Sequence, residues 1–537
     1  MNRQLFLLIA LAAVLVGPIV LRPKEDSSMR KAEKTVVIIT PHNESIRYEF
    51  GRAFAKHYFA KTGQHVRVDF RTPGGTSEIA RYVESGFVAA FEHHWTRTLN
   101  QRWSSEVQKA FVDPTVKIDG PPEADTPDQA ARRAFLNSNV GCKIDLFFGG
   151  GSFDFQLAAG KGFLVPTDFV ATHPGVFGDG PSQIPATLSG EPFFDPKGLW
   201  IGNVISTFGI VYNTDVLARL KITEPPRRWS DLANPRYFGE IALANPTQSG
   251  SINKAFEMLV QQVIADELFV HNAPDSDKEI VALGWTRALR LLQRIGANAR
   301  YFTDSSTKPS LDVGAGDCAA GMTIDFYGRF QAEAVMKSGG NHLHYVNAEG
   351  GTSVGVDPIG LLRGAPHPEV AREFIAFVLS DAGQKLWNWQ VGKPDGPQRY
   401  ALRRLPVLPP LYADEFKPLR SDPEVQPYEL SKDFVYRPEW TASIFSAQAF
   451  IIRAMCIDSH EELKHAWRAL IAAGFPPKAM AKFSDVSHVN YAQASGRIKS
   501  AASSKAPKIQ QVRLAKELAD RFRANYAEAA RLAQRRE

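Results

Sequence analysis

Short apolar runs and helix-spaced apolar positions alternate along the chain from residue 34 onward. Residues 35–40, TVVIIT, form a continuous apolar run that predicts a buried strand, and residues 65–70, HVRVDF, predict a second strand. A helical stripe lies between them at four-residue steps: Ile46, Phe50, Phe54 and Tyr58. A second helix is predicted to begin near Thr76. Strand, helix, strand, helix indicates a parallel α/β domain.

The same alternation returns further along the chain. Residues 144–148 predict a strand that leads through a glycine run at 149–151 into a helix, and a new unit begins near Trp200. In that unit, a strand at 240–244 runs into a polar loop and a helix, and a strand at 319–324 delivers Asp325 and Tyr327 at its exit. Because open α/β sheets bind ligands beyond the carboxyl ends of their strands, these exits predict a cleft.

Three other segments depart from this alternation. Residues 87–141 are charged and rich in Pro and Asp, which indicates an insertion; its His93-His94 pair lacks the further ligand spacing of a metal site. Residues beyond about 406 begin as a proline-rich segment, and 445–474 predict two helices. The last helix carries an apolar stripe among arginines, so it suits either binding to an anionic membrane or packing onto the lobes. We expect it to pack onto the lobes. Its stripe comprises Leu514, Leu518, Phe522 and Tyr526.

Composition and charge narrow the class of protein. The 537 residues are 44% hydrophobic and 22% charged, as in ordinary globular proteins. The net charge is +6, but residues 494–537 contain eleven Lys and Arg against four Asp and Glu, so the body is nearly neutral and no nucleic-acid partner is expected. Three cysteines, Cys142, Cys318 and Cys456, lie far apart and predict separate buried thiols.

The N-terminal residues predict export. Residues 5–21 are apolar and uncharged, and no small-x-small cleavage site follows them. We interpret residues 1–22 as a signal peptide or an N-terminal transmembrane anchor, with an uncleaved anchor in the inner membrane favoured. Either way, the predicted location is the periplasm.

Six segments in order resemble the family 1 extracellular solute-binding proteins of ABC importers, nearest the branch that contains the ferric-ion-binding proteins. They cover residues 34 to about 406 and include IDLFFGGGSFDF at 144–155, ANPTQSGS at 244–251 and GMTIDFYGRF at 321–330. The resemblance implies a two-lobed α/β fold of the type II periplasmic binding protein class with hinge strands. It also implies a small ligand and permease subunits as partners.

The resemblance also predicts the domain boundaries. Lobe I is expected at 34–200 with the insertion at about 87–141, lobe II at 201–338, a return to lobe I at 339–406, and a mostly helical extension at 407–537.

Loops at the strand exits and the resemblance together give the candidate ligand-binding residues. These are His42, Asn43, Glu44, Gly74, Gly75, Gly149, Gly150, Gly151, Thr247, Ser249, Gly250, Ser251, Asp325 and Tyr327. Glycines and hydroxyl groups at helix N-termini suit an anionic or polar ligand group, although ordinary capping by Ser249 or Ser251 explains the second loop equally well.

Ferric iron is the alternative ligand that the resemblance brings. In the ferric branch, a histidine after the first strand and two adjacent tyrosines on lobe II hold the metal; His42 fits the first, but the tyrosine pair falls on Phe326-Tyr327. A hard cation needs several anionic oxygens, so the missing phenolate weakens the site and leaves His42, Asp325 and Tyr327 as the only iron ligands. Alternatively, Asp325 binds a cationic group or merely caps a helix.

Three functions fit these observations. The favoured one is the substrate-binding component of an ABC importer, with a small organic or anionic solute preferred over iron. A membrane-anchored ligand sensor and an exported enzyme on the same scaffold are alternatives. The sequence has no HExxH or CxxC motif, so we expect neither catalysis nor a cofactor.

Overall fold

The computed structural model describes residues 32–503 and 506–535, so the predicted signal or anchor at 1–22 lies outside the described residues. The strands are β1 (Lys34–Ile39), β2 (Val66–Arg71), β3 (Leu146–Phe148), β4 (Leu164–Val165), β5 (Thr187–Leu188), β6 (Glu191–Pro192), β7 (Ile201–Ser206), β8 (Phe208–Asn213), β9 (Ile241–Ala244), β10 (Ala299–Thr303), β11 (Ala320–Ile324), β12 (Leu343–Asn347), β13 (Gly355–Leu362) and β14 (Leu405–Pro406).

Helices connect most of these strands. They are α1 (Glu44–Thr62), α2 (Thr76–His93), α3 (Ser105–Ala110), α4 (Pro127–Leu136), α5 (Ser152–Lys161), α6 (Phe169–Thr172), α7 (Thr214–Arg219), α8 (Gly250–Val270), α9 (Lys278–Asn298), α10 (Lys308–Gly314), α11 (Asp325–Lys337), α12 (Pro368–Leu379) and α13 (Asp381–Asn388). The C-terminal extension adds α14 (Pro427–Leu430), α15 (Pro438–Thr441), α16 (Phe445–Ile452), α17 (His460–Ala472), α18 (Pro477–Phe483), α19 (Tyr491–Gln493), α20 (Lys499–Ala502) and α21 (Lys508–Gln534).

Two sheets form the centres of two lobes. The sheet of lobe I has the order β14-β7-β13-β3-β1-β2, with β4 beside β13, and the sheet of lobe II has the order β10-β9-β11-β8-β12. In lobe I, β1 is parallel to β2 and β3, whereas β13 is antiparallel to β3; in lobe II, β9 is parallel to β10 and β11, whereas β8 is antiparallel to β11. The antiparallel strand of each sheet, β13 in lobe I and β8 in lobe II, is therefore the one that the chain enters on crossing from the other lobe. The predicted two-lobed type II α/β fold is confirmed.

The predicted amphipathic helices bury their apolar faces against these sheets. In α1, the four predicted positions are buried and pack beside Val36 and Ile38 of β1. In α9, Trp285, Leu289 and Leu292 are buried in the core of lobe II. Because the apolar residues recur at the helical period, one face of each helix is removed from water, and this burial is the main stabilising term.

The chain crosses between the lobes beside the hinge. It passes from β7 to β8 at Thr207 and returns between β12 and β13 at about 348–354. The predicted boundaries at 200/201 and 338/339 therefore lie one strand away from these crossings. The predicted insertion at 87–141 holds the end of α2 with α3 and α4, and it packs onto the rest of lobe I through the contacts of Phe87 and Phe135 with Phe163.

Most of the C-terminal extension joins the core of lobe II. The stripe on α21 is fully buried against α17 and α18, as at Phe522 and Tyr526, so the prediction that this helix packs onto the lobes is confirmed. The helical stretch Pro438–Ile457 is long and apolar enough to cross a membrane, but 67% of its most apolar window is buried inside the protein. That degree of burial is typical of a core helix.

Candidate functional site

A cavity of about 750 Å³ lies between the two lobes, where the parallel strands of both sheets end. Lobe I contributes the loops that follow β1, β2 and β3, and lobe II contributes the loops that follow β9, β10 and β11. The strand β13, which connects the lobes, lies along the cavity with Gly355, Val356 and Asp357. The cavity therefore occupies the position that the strand exits predicted.

Helix N-termini from both lobes face this cavity. Thr76 of α2, Ser152 of α5, Gly250 of α8 and Phe326 of α11 all line it, and each lies within the first two residues of its helix. The first N–H groups of a helix have no intrahelical acceptor and carry partial positive charge, so they attract anions. In α8, the Ser249 hydroxyl accepts from the amide of Ile252 at 3.3 Å, and the earlier amides belong to Gly250 and Ser251.

A buried arginine holds the hinge side of the cavity. One guanidinium nitrogen of Arg404 donates to His42 Nε2 at 3.1 Å, and the other donates to Asp357 at 2.6 Å and to Ser206. The guanidinium also lies 4.2 Å from the centre of the Phe326 ring, in a cation–π arrangement. Arg404 thereby ties lobe I, the hinge strands and lobe II together.

The protonation states of this cluster follow from burial and charge. Burial lowers the pKa of His42, and the nearby Arg404 lowers it further, although Asp357 opposes both effects. Burial alone would raise the pKa of Asp357, but Arg404 and His42 reverse this and hold it below its ordinary value. His42 is therefore neutral and accepts at Nε2, while its Nδ1 has no hydrogen-bond partner among the residues that the structure describes.

The structure places the predicted lobe II residues in two different environments. Tyr327 lines the cavity beside Phe326, and burial raises its pKa. Asp325 does not line the cavity, because its carboxylate pairs with Arg329 at 2.5 Å and also accepts from the amide of Phe326. Asp325 thus has the helix-start role that the sequence left open.

The other predicted residues also divide into two groups. Those that line the cavity are His42, Asn43, Gly74, Gly75, Gly150, Gly151, Ser249, Gly250 and Ser251. Glu44 is exposed in the first turn of α1, Thr247 donates to Asn245, and neither lines the cavity. Gly149 leaves room for the His42 ring, because a Cβ at this position would lie 2.5 Å from that ring.

A second charged cluster, which the sequence interpretation missed, also lines the cavity. Lys254 of α8 pairs with Glu191 at 2.7 Å and Glu257 at 2.9 Å, and its ammonium lies 3.4 Å from the centre of the Tyr436 ring. Burial would lower the pKa of Lys254, but the two carboxylates raise it above its ordinary value. Ser353 donates to Glu191 at 2.8 Å, which fixes this cluster to the hinge.

Asp154 is a third missed residue, and it has a different character. It lies in the first turn of α5, lines the cavity, and faces Gly250 across the lobe boundary, where a Cβ on that glycine would be 3.3 Å from its carboxylate. Burial raises the pKa of Asp154 to about 6, against a smaller opposing effect of a backbone hydrogen bond. Its charge therefore changes near neutral pH.

The structure gives little support to a metal or a serine nucleophile. In residues 32–503 and 506–535, no three or more His, Cys, Asp or Glu side chains group closely enough to hold a metal ion. Residues 351–355, GTSVG, match the GxSxG pattern, which the sequence interpretation overlooked. However, a nucleophile elbow leads from a strand into a helix, whereas Ser353 precedes the strand β13 and donates to Glu191.

Comparison with known proteins finds a family model that matches nearly half of the chain. Residues 140–398, which run from just before β3 to beyond α13, match the family model described as bacterial extracellular solute-binding protein. Over these residues the chain is similar to this family. The description of that model names proteins that bind solutes outside the cell.

Curated relatives match part of the chain. An uncharacterized protein of Haemophilus influenzae is 28% identical over 206 residues, which is 38% of this chain and 52% of that protein. The phosphoglycerate transport regulatory protein PgtC of Salmonella typhimurium is 26% identical over 215 residues, 38% of this chain and 47% of the relative. The chain thus spans about half the length of these relatives.

Solved structures of similar proteins cover more of the chain at lower identity. The periplasmic binding protein AfuA of Actinobacillus pleuropneumoniae is 17% identical, with 81% of this chain and 98% of that chain covered at a TM-score of 0.45. HitA of Pseudomonas aeruginosa, solved with iron bound, is 16% identical, with 78% and 99% covered at a TM-score of 0.45. The fold assignment itself rests on the strand orders described above.

Proposed function

We propose that this protein is the substrate-binding component of an ABC importer, and that it captures a small organic anion between its lobes for delivery to a membrane permease. The observation that carries this proposal is that four helix N-termini, two from each lobe, line the same cavity. An anion held there would interact with both lobes at once, so binding would favour the closed arrangement.

The size of the cavity favours an organic ligand over a bare ion. Clefts that hold small organic molecules typically measure roughly 300–1,000 Å³, and the cavity of about 750 Å³ falls in that range. Ferric iron would need several anionic oxygens in one place. Asp325 is engaged by Arg329, and burial disfavours the phenolate form of Tyr327, so the iron ligands suggested by the sequence do not support such a site.

The charges of the cavity favour an anion that is bound mainly by backbone amides and hydroxyls. The arginine and the lysine that line the cavity, Arg404 and Lys254, already have carboxylate partners. Hydroxyl groups at Ser249, Ser251 and Ser306 line the lobe II side near the helix ends. The similarity to PgtC, whose name refers to phosphoglycerate, makes organic phosphates the first class to test.

A ligand sensor is the second candidate, because the similar PgtC is named as a transport regulatory protein. The same cleft would serve it, and the two functions differ in the partner: an importer permease or a signalling protein. Anchoring to the inner membrane through residues 5–21 suits both functions and remains a prediction from the sequence.

Isothermal titration calorimetry with 3-phosphoglycerate tests the proposal. The wild-type protein should bind one equivalent. Ser251→Asp, which places a negative charge at the N-terminus of α8, should weaken binding by about tenfold, whereas the matched Ser251→Ala should stay within about threefold. Equal affinities for all three proteins would refute the assignment of the α8 N-terminus, and no binding of any phosphate ester would refute the ligand class.

A further inference from the structure

The C-terminal extension supplies one wall of the cavity. Tyr436, Pro438, Ala442 and Phe445 line it, although they lie beyond the two lobes and beyond the part of the chain that matches the family model. This wall, residues 434–445, lies beside the Lys254 cluster, because Tyr436 contacts both Lys254 and Glu257. The extension is therefore part of the binding site as well as part of the lobe II core.

Hydrogen bonds fix the wall to lobe I. The amide of Tyr436 donates to the carbonyl of Ser189 at 2.8 Å, and the Ser189 hydroxyl donates to the carbonyl of Phe434. Gly190 has a φ of +75°, and a Cβ there would lie 1.9 Å from the Tyr436 carbonyl oxygen. The close approach of these two segments therefore depends on a glycine at position 190.

Lobe II holds the other side of the wall. Gln261 of α8 accepts from the amide of Arg437 at 3.0 Å and donates to its carbonyl at 2.7 Å, and Asn253 donates to the carbonyl of Phe445 at 2.9 Å. The Tyr436 hydroxyl donates to Glu257 at 3.0 Å. Because both sides are anchored, the wall presents its side chains to the cavity in a defined arrangement.

The side chains that this wall brings to the cavity are aromatic or apolar. The Phe445 ring lies 4.5 Å from the ring of Phe153, which belongs to α5 of lobe I and directly follows the helix N-terminus at Ser152. The Tyr436 ring covers the Lys254 ammonium, whose charge is further offset by two glutamates. An apolar surface therefore adjoins the amides that would hold an anion.

We propose that Phe445 and Tyr436 of the extension, together with Phe153, form an apolar subsite that selects an organic anion carrying a hydrophobic group. This inference rests on the proposed function, because it assumes that an anionic group is held at the helix N-termini. Its new content is the ligand class and the role of the extension in selecting it.

Two phosphate esters that differ in their second group test the subsite: phenyl phosphate and glycerol 3-phosphate, titrated into the full-length protein by calorimetry. The wild-type protein should bind phenyl phosphate about tenfold more tightly, because the ring removes apolar surface from water. Phe445→Ala and Phe153→Ala should each lose most of that preference, because they weaken the binding of phenyl phosphate more than that of glycerol 3-phosphate.

Phe450→Ala is the matched control, because Phe450 lies on the same helix as Phe445 and packs against the core outside the cavity. It should keep the wild-type preference. Equal binding of the two esters by the wild-type protein, or equal weakening of both esters in the Phe445 and Phe153 variants, overturns the subsite and leaves the proposed function standing. Failure of the wild-type protein to bind either ester overturns the organic phosphate ligand and the subsite with it.

Discussion

Arg404 connects more parts of the site than any other side chain described above, so its replacement has the most definite consequence. Arg404→Met keeps much of the aliphatic length and removes the guanidinium. The change deletes the hydrogen bonds to His42, Ser206 and Asp357 and the contact with the Phe326 ring. The Asp357 carboxylate then loses its cationic partner.

The magnitude follows from burial. Removing one partner of a buried ion pair costs about 3–5 kcal/mol, because the remaining charge stays desolvated. The Arg404 side chain is 0% exposed, but that of Asp357 is 18% exposed, so water relieves part of the cost. We therefore expect a loss of about 3 kcal/mol in the free energy of unfolding. The double variant Arg404→Met/Asp357→Asn should recover about 1–2 kcal/mol, because no charge is left unpaired.

Urea unfolding followed by circular dichroism measures these free energies. Arg399→Met is the matched control, since Arg399 is an exposed arginine in the same segment that stacks on Tyr48 and Tyr400. It should cost less than about 1 kcal/mol. The reasoning is refuted if Arg404→Met costs no more than the control, or if Asp357→Asn gives no recovery in the double variant.

Three further predictions concern pH and the backbone. The pKa of His42 is lowered in the folded state, so the stability of the protein should fall as the pH drops below about 6.5. His42→Gln should reduce this dependence of stability on pH, as measured by thermal unfolding between pH 7.5 and 5. An unchanged dependence would exclude His42 as its source. Burial raises the pKa of Asp154 to about 6, so affinity for an anion should rise as the pH falls through 6. Asp154→Asn should remove that rise and tighten 3-phosphoglycerate binding at pH 7.5 by about fivefold in calorimetry, and a persistent rise would contradict the assignment. Gly190→Ala should lower the free energy of unfolding in urea by about 2–3 kcal/mol, because it combines backbone strain with a clash against Tyr436. Gly239 has the same φ of +75° but open space around it, so the control Gly239→Ala should lose about 1 kcal/mol. Equal losses would show that the clash is relieved.

Periodic patterns in the sequence predicted most of the fold. The stripes in α1 and α21 are both buried where the four-residue spacing placed them. The predicted strand at 319–324 is observed as β11, at Ala320–Ile324. These elements are predictable because burial of one face depends on local spacing, which the sequence shows directly.

The site was only partly predictable, for two different physical reasons. The loops at the strand exits were found because parallel strands end at one edge of a sheet. Lys254, Glu191 and Tyr436 were missed because their contacts join segments far apart in sequence. By contrast, the engagement of Asp325 had a local signal, since Arg329 follows it at the i+4 spacing of a helical ion pair.

Native mass spectrometry of the protein isolated from its native cells, with metal analysis of the same sample, tests the central claim most directly. The claim is that the cavity between the lobes holds a small organic anion. We predict one equivalent of a bound organic anion that is released on denaturation, with iron below stoichiometric amounts. One equivalent of iron without an organic mass would contradict the account.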